Sequence, residues 1–399
     1  MKPENQKRYY FDYAATTPVR LEVKKIMDEF QSNFFGNPSA IYLEGRQAKQ
    51  ALENARITIA KILNVKPREI IFTNGGTESI NLAISGVARH YKNLFKNPRI
   101  ITSRIEHPAV LETTKQLNKE GFEIIYLDVD QFGFVDLKEL KNSINNQTIL
   151  VSIIYANNEI GTIQPIAEIS KVIHNSQSSI NKLDFPFFHV DACQAAGSLE
   201  IDPKKLGIDL MTINASKIYG PKASGLLYKK DAINLEPTIL GGGQENGFRS
   251  GTENVGSWIG LAKALELAQK ERAIESKRLF TLRDYLIREL LKIPRTILNG
   301  PIQNRLPNNI NIIFKDIEGE AMILHLDKLG ISASTGSACH SKSLQPSHVL
   351  TAIGRKKDLI HGSLRLTLGK YTTKKQVDYL IKAIKIVVKK LRGISAVSN

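Results

Sequence analysis

At 399 residues the chain exceeds the size at which a single hydrophobic core keeps growing, which predicts two domains, each burying its own core. Its two cysteines, Cys193 and Cys339, stand far apart and outside any Cys-x-x-Cys or Cys/His zinc spacing, which argues against a disulfide framework and a structural metal and predicts a reducing compartment. The formal charge of +16 admits an anionic partner, but the lysines are scattered through helical patterns, and the densest basic run, KKQVDYLIKAIKIVVKKLR from Lys374 to Arg392, alternates with an apolar stripe as a packed amphipathic helix does.

The opening MKPENQKRYYFDY is polar and lacks the apolar core of a signal peptide, and no apolar run is long enough to cross a bilayer. A cytoplasmic protein is expected, with neither a membrane nor a nucleic acid as direct partner. From about residue 70 to 230, short β-rich runs alternate with helical patterns, the signature of a largely parallel sheet covered by helices. The runs are EIIFTN, RIITS, FEIIYLDVD, TILVSIIYA, FFHVDA, DLMTINA and SGLLYKK. A helix is predicted over Thr77 to Phe95, where Ile80, Ile84, Val87, Tyr91 and Leu94 recur at helical spacing. The polar stretch Asn175 to Pro186 reads as a surface loop. Beyond Trp258 a long helical pattern leads into an α+β region. It comprises a helix from Lys277 to Lys292, the strand INIIF, the helix GEAMILHLDKLG, a loop containing Cys339, the strand SLRLTLG and a closing helix. The residues before Asp12 are expected to return and pack on this region.

Ligands of open α/β sheets bind beyond the carboxyl ends of the strands. There the sequence places Gly75-Gly76-Thr77, which suits a phosphate at a helix N-terminus but is equally an ordinary turn capped by Thr77. Further along come Glu106-His107-Pro108, Asn157-Asn158-Glu159, Asp191-Ala192-Cys193-Gln194 and Ser216-Lys217. A lone histidine in such a loop is ordinarily a surface or capping residue. A carboxylate at the end of an apolar strand, by contrast, needs a cationic partner, because burying it alone is costly. A phosphate turn, a strand-end aspartate and a strand-end lysine together match the needs of pyridoxal 5′-phosphate: an anchor for the phosphate, a carboxylate for the pyridinium nitrogen and an amine for a Schiff base.

With these residues in view, the chain resembles the cysteine desulfurases of the pyridoxal-phosphate-dependent class V aminotransferase family. The resemblance runs through FDYAATTPV, GNPSA, TNGGTES, EHPAV, NNEIG, HVDACQA, KIYGPK, GGGQENGFRSGT, STGSAC and SLRLTLG, and so covers nearly the whole chain. It implies an α/β, fold-type I aminotransferase-like architecture. The large cofactor-binding domain, residues 13–262, would hold a mostly parallel seven-stranded sheet, and a smaller α+β domain, residues 1–12 and 263–399, would carry the cysteine loop.

Carried over by motif, the resemblance makes Lys217 the cofactor lysine, with Lys222 its decoy, and pairs Asp191 with the pyridinium nitrogen. Gln194 and Asn158 would lie at the phenolic side of the ring, with Asn158 also near substrate. His107 would stack on the ring and move protons. Gly76 and Thr77 would bind the phosphate, helped by Thr252 from the second subunit of a homodimer, and Arg365 would clamp the substrate carboxylate. Cys339 would take sulfur from L-cysteine as a persulfide, leaving L-alanine, and pass it to a sulfur acceptor such as an iron–sulfur scaffold protein.

The small polar residues around Cys339, STGSACHSKS, suit a reactive thiol better than a core one, and their number resembles the longer-loop branch of the family. His340 and Lys342 would favour its thiolate. Cys193, following an apolar strand, reads as a buried small residue. One departure stands out: where the family commonly has Ser-x-His-Lys, this chain has Asn214-Ala215-Ser216-Lys217. Asn214 and Ser216 can still donate to a phosphate, but the imidazole is lost, which predicts weaker cofactor retention. Related alternatives are a selenocysteine lyase or other class V aminotransferase-like enzyme, and a catalytically reduced assembly platform.

Overall fold

The computed structural model describes residues 8–180, 183–335 and 346–394. Its central feature is a seven-stranded sheet. In chain order the strands are numbered β1 (Tyr9–Tyr10), β2 (Ile70–Thr73), β3 (Arg99–Ser103), β4 (Glu123–Leu127), β5 (Thr148–Ile154), β6 (Ser178–Ile180), β7 (Leu183–Phe185), β8 (Phe187–Asp191), β9 (Leu210–Asn214), β10 (Gly225–Lys229), β11 (Thr296–Leu298), β12 (Asn309–Phe314), β13 (Ile331–Ser332) and β14 (Ser363–Thr367).

The large sheet has the order β2-β10-β9-β8-β5-β3-β4, and only β10 runs antiparallel to its neighbours. Every residue of β2, β5, β8 and β10 is buried, as expected of strands covered on both faces. One consequence positions the site: Thr73, Ser103, Ile154, Asp191 and Asn214 end their strands on a single edge. Register places Ile154 beside Asp191 and Asp191 beside Thr212.

A second core forms around the antiparallel sheet β11-β12-β14, with Phe11, Leu286, Ile312, Leu366 and Val387 among its members. As the sequence suggested, the start of the chain joins this region: β1 pairs in parallel with β13, and the Phe11 side chain is almost wholly buried in it. The basic run 374–394 is one helix that buries Val377, Leu380, Ile384, Val387 and Val388 while Lys382, Lys385, Lys389 and Lys390 stay exposed. Its charge is a solvated face.

Three expectations are refined. The predicted helix over 77–95 is Gly76–Tyr91 followed by a short 3-10 turn. The helices expected on either side of residue 270 are one 37-residue helix, Val255–Leu291, about 55 Å long at 1.5 Å per residue. Its two ends, around Trp258 and Leu286, bury in the two different cores, and its middle is partly exposed, which breaks the apolar period. The polar stretch read as a loop contains an antiparallel hairpin, β6 with β7. Among the described residues no helix is long and apolar enough to cross a membrane.

Candidate active site

A cavity of about 360 Å³ opens at the carboxyl edge of the large sheet, within the range that holds a small cofactor and substrate. It is lined by Gly76, Thr77, His107, Asn158, Asp191, Gln194, Asn214, Lys217 and Arg365, all singled out in the sequence, together with Ala14, Ala15, Ile80, Ile154 and Cys193.

The turn Gly75-Gly76-Thr77, expected to suit a phosphate, is built by backbone geometry. Gly75 adopts φ 135°, a conformation open to glycine, and forms the N-cap of helix 76–91 without any side-chain cap. Thr77 is therefore inside the first turn rather than its cap, and it lines the cavity. A Cβ on Gly76 would come 2.8 Å from Cys193 Sγ, so glycine is what lets the helix end sit this close. The first amides of a 16-residue helix thus face the cavity, a favourable setting for an anion.

Asn214 stands beside them. Its Oδ1 accepts both the Ser216 amide and the Ser216 hydroxyl, each at 3.1 Å. The Nδ2 lies 3.5 Å from the Cβ position of Gly76. The amide is thereby oriented with its donor toward the helix end. Ser216, expected to face the phosphate itself, does not line the cavity; its hydroxyl is engaged by Asn214.

Asp191 ends β8 almost fully buried, and its Oδ1 accepts the Cys193 amide at 2.9 Å. Burial, and next the Asp191 charge, push the Cys193 thiol well above its ordinary value, so Cys193 is a packing residue of the wall. Lys217 follows β9 on a short 3-10 turn and donates to the carbonyls of Ala14 and Ala15 at 2.8 and 2.6 Å. Gln194 donates to the same Ala14 carbonyl at 3.0 Å. The decoy Lys222 is exposed.

His107 is both things the sequence allowed. It caps helix 108–119, its Nδ1 accepting the Ala109 amide at 3.1 Å, and it lines the cavity. A backbone N–H can only donate, so Nδ1 is the acceptor and Nε2 carries the proton of the neutral ring.

Arg365 projects from β14 of the small sheet and is buried. One terminal nitrogen donates to the Asn158 carbonyl at 3.3 Å and the other pairs with Asp12 at 2.8 Å. Its Nε is buried with no hydrogen-bond partner among the described residues, and each terminal nitrogen keeps a second N–H beyond its bond to Asn158 or Asp12. Thr252 is exposed and does not line the cavity of its own chain. Cys339 lies outside the described residues, as do His340 and Lys342.

Two carboxyls around the cavity were missed. Glu106, beside His107, is fully buried; its Oε1 accepts the Ser103 hydroxyl at 2.5 Å and the Ile154 amide at 2.9 Å. Burial pushes it up to about 8, with the Asp191 charge adding to the rise. Glu159, beside Asn158, accepts the Ser347 hydroxyl at 2.6 Å, and burial pushes it up to about 7 against the pull of Ser347 and Arg365. Asp191 is the last residue of its strand, whereas Glu106 stands three residues beyond β3 and Glu159 five beyond β5, so their burial comes from the fold of the loops.

The sheet order and the cavity at its carboxyl edge define a fold-type I aminotransferase-like protein, and the donor set fits pyridoxal phosphate: helix-end amides and an amide donor for the phosphate, with a buried carboxylate and a lysine lining the same cavity. The chain belongs to the aminotransferase class-V family, whose model matches residues 9–380. It is 51% identical over 391 residues to the cysteine desulfurase IscS of Dictyoglomus turgidum, covering 98% of this chain and 97% of that one. To the cysteine desulfurase IscS of Methanosarcina thermophila it is 49% identical over 389 residues, 98% of this chain and 94% of the other. Among solved structures, a NifS-like protein superposes with a TM-score of 0.89 at 37% identity, over 96% of this chain and 100% of the other. A NifS-like protein from Rickettsia africae gives 0.84 at 31% identity, over 96% and 100%.

Proposed function

We infer that this protein is a pyridoxal-phosphate-dependent cysteine desulfurase that converts L-cysteine to L-alanine and receives the sulfur as a persulfide on Cys339. The observation that carries the reading is the convergence of Lys217, Asp191, His107 and Arg365 on one cavity in a chain similar over its length to cysteine desulfurases. The bound cofactor supplies an electron sink at the substrate α-carbon.

The chain's own residues do the rest. Helix-end amides at Gly76 and Thr77, the Asn214 amide and Thr252 of the partner subunit would hold the phosphate, with Ser216 acting through Asn214. Asp191 would pair with the ring nitrogen, Gln194 and Asn158 would flank the ring, and Lys217 would supply the attaching amine. Arg365, fixed by Asp12, would orient the substrate carboxylate through terminal N–H groups that Asp12 and the Asn158 carbonyl leave unused. His107 would exchange protons at Nε2, its other nitrogen being held by the Ala109 amide. The Cys339 thiolate would bond to the substrate sulfur as that sulfur leaves its carbon, and a proton added to the carbon completes alanine.

In this reading residues 13–262 form the cofactor domain, and residues 1–12 and 263–399 the domain bearing Cys339. The enzyme acts as a homodimer in the cytoplasm and hands its sulfur to an acceptor such as an iron–sulfur scaffold protein. Exposed apolar side chains, Phe35, Ile41 and Leu240 among them, are what a subunit interface would cover. The test is alanine release from L-cysteine together with mass spectrometry of the protein. Persulfide is expected on Cys339, and Cys339→Ser should release no alanine while still binding cofactor. Alanine released by Cys339→Ser at the parent rate would overturn the assignment.

A further inference from the structure

Residues 336–345 lie outside the described residues, but both flanks of that segment are described, and each is tied to the rim of the cavity. On the outgoing side Ser334 exchanges backbone hydrogen bonds with Arg365, at 2.7 and 3.3 Å. On the returning side His348 Nε2 donates to the Glu106 carbonyl at 2.9 Å, next to His107, and the Ser347 hydroxyl donates to Glu159 Oε2 at 2.6 Å, next to Asn158. The helix that follows, His348–Ala352, packs Val349 and Leu350 against Ile105, Ile154 and Ile160.

The Ser347 contact differs from the other two because it is made by a buried carboxyl group. Ser347 is the N-cap of the helix, accepting the Leu350 amide at 3.1 Å, so its one hydroxyl proton goes to Glu159 and its lone pair to the helix. Chained hydrogen bonds of this kind strengthen one another, most of all when they end on a charge. Glu159 is itself pinned, its carbonyl accepting the side-chain amides of Asn309 and Asn311 at 3.2 Å each.

We propose that Glu159 is a positioning residue: by accepting the Ser347 hydroxyl, its buried carboxylate fixes where the Cys339-bearing segment rejoins the fold, and so sets the delivery of Cys339 to substrate held at Arg365. The consequence for turnover rests on the functional reading above; the anchor itself does not.

Two measurements on the holoenzyme test it. Hydrogen exchange at pH 8, above the value to which burial raises Glu159, reads the anchor: Glu159→Gln, which keeps the shape and loses the charge, should speed exchange of the Leu350 amide about tenfold, as expected when a charged acceptor becomes a neutral one. Kinetics read the consequence. Glu159→Gln and Ser347→Ala should each lower kcat about tenfold while the affinity for L-cysteine and the visible absorbance of the cofactor stay at parent values. Ser347→Thr, which keeps the hydroxyl, should restore most of kcat, and the double variant should be no slower than Ser347→Ala alone, since both act through one bond. Unchanged Leu350 exchange in Glu159→Gln, additive losses in the double variant, or a loss that falls on substrate or cofactor affinity would overturn the proposal. A parent enzyme that releases no alanine would refute the functional reading instead, and Leu350 exchange would still decide whether Glu159 is the anchor.

Discussion

The pair Asn214 and Ser216 offers a quantitative test of how this chain holds its cofactor. The Asn214 Nδ2 lies beside the first turn of helix 76–91, where a phosphate dianion would sit, whereas the Ser216 hydroxyl is engaged by Asn214 Oδ1. Asn214→Ala removes a donor to a charged group, worth about 1.5–3 kcal/mol. At about 1.4 kcal/mol per factor of ten, cofactor binding should weaken by roughly 10- to 100-fold. Ser216→Ala removes only a neutral bond that orients the donor, and the 3.1 Å bond from the Ser216 amide remains. Its cost should stay near the low end of the 0.5–1.5 kcal/mol neutral range, a few-fold in affinity. The assay strips the cofactor and titrates it back while following the fluorescence of Trp258, the chain's single tryptophan. That indole is buried behind the phosphate turn, stacked on Phe72 and donating to the Thr73 carbonyl at 3.0 Å. Equal losses in the two variants, or a loss under threefold for Asn214→Ala, would refute the assignment of direct donor and orienting neighbour.

Lys217→Ala should abolish both the cofactor's visible absorbance shift and turnover, while the exposed Lys222→Ala keeps both; absorbance titrations of the two variants separate them. Arg365→Lys should raise the KM for L-cysteine about tenfold or more with a smaller change in kcat, since a point charge cannot keep Asp12, the Asn158 carbonyl and a substrate carboxylate together; steady-state kinetics with an unchanged KM would contradict it. Stability should fall as pH rises from 6.5 to 8, because folded Glu106 and Glu159, raised to about 8 and about 7, keep protons that the unfolded chain has released. His189, lowered by burial to about 4, acts in the opposite sense only below 6.5. Urea midpoints across that window should decline less steeply for Glu106→Gln than for the parent.

Much of the site could be read before the fold was known, because its chemistry is expensive to misplace. Asp191 at the end of an apolar strand demanded a partner, and Lys217 after the next strand pointed into the same crevice; both line the cavity. What escaped depends on three-dimensional pairing. That the Ser216 hydroxyl bonds to Asn214 is invisible in the string NASK. Glu106 and Glu159 sit inside stretches already singled out for their neighbours, and only burial reveals them as perturbed. In the fold, the alternation of strands and helices was clear from residue 70 onward. The continuity of helix 255–291 was not, since a helix shared by two cores buries its apolar residues only toward its two ends and leaves others, such as Ile274, exposed in between. The hairpin β6–β7 was hidden for a different reason: backbone pairing does not require the alternating apolar side chains by which strands are recognised.

The three carboxyls around the cavity are sorted by what they can reach, and this sorting bears on the chemistry. Asp191 accepts the Cys193 amide and lines the cavity, so it meets whatever cation the site brings to it. Glu106 lies close enough to Asp191 for their charges to be felt, and its Oε2 is buried with no hydrogen-bond partner among the described residues. A second bare carboxylate there would compete with Asp191 for the same positive ring nitrogen. Burial, which raises Glu106 to about 8, favours its protonated form at neutral pH, so that in the proposed reading Asp191 alone would be the acidic partner of the ring. Glu159 is nearer Arg365 and Ser347, whose pull opposes the rise to about 7 that burial imposes on it. A substrate carboxylate at Arg365 would cancel part of the positive field that helps keep Glu159 charged. By linkage, substrate binding should then draw a proton onto Glu159 and loosen its hold on Ser347. In the proposed reading of Arg365, the residue that holds Ser347 would therefore also be one whose charge responds to substrate.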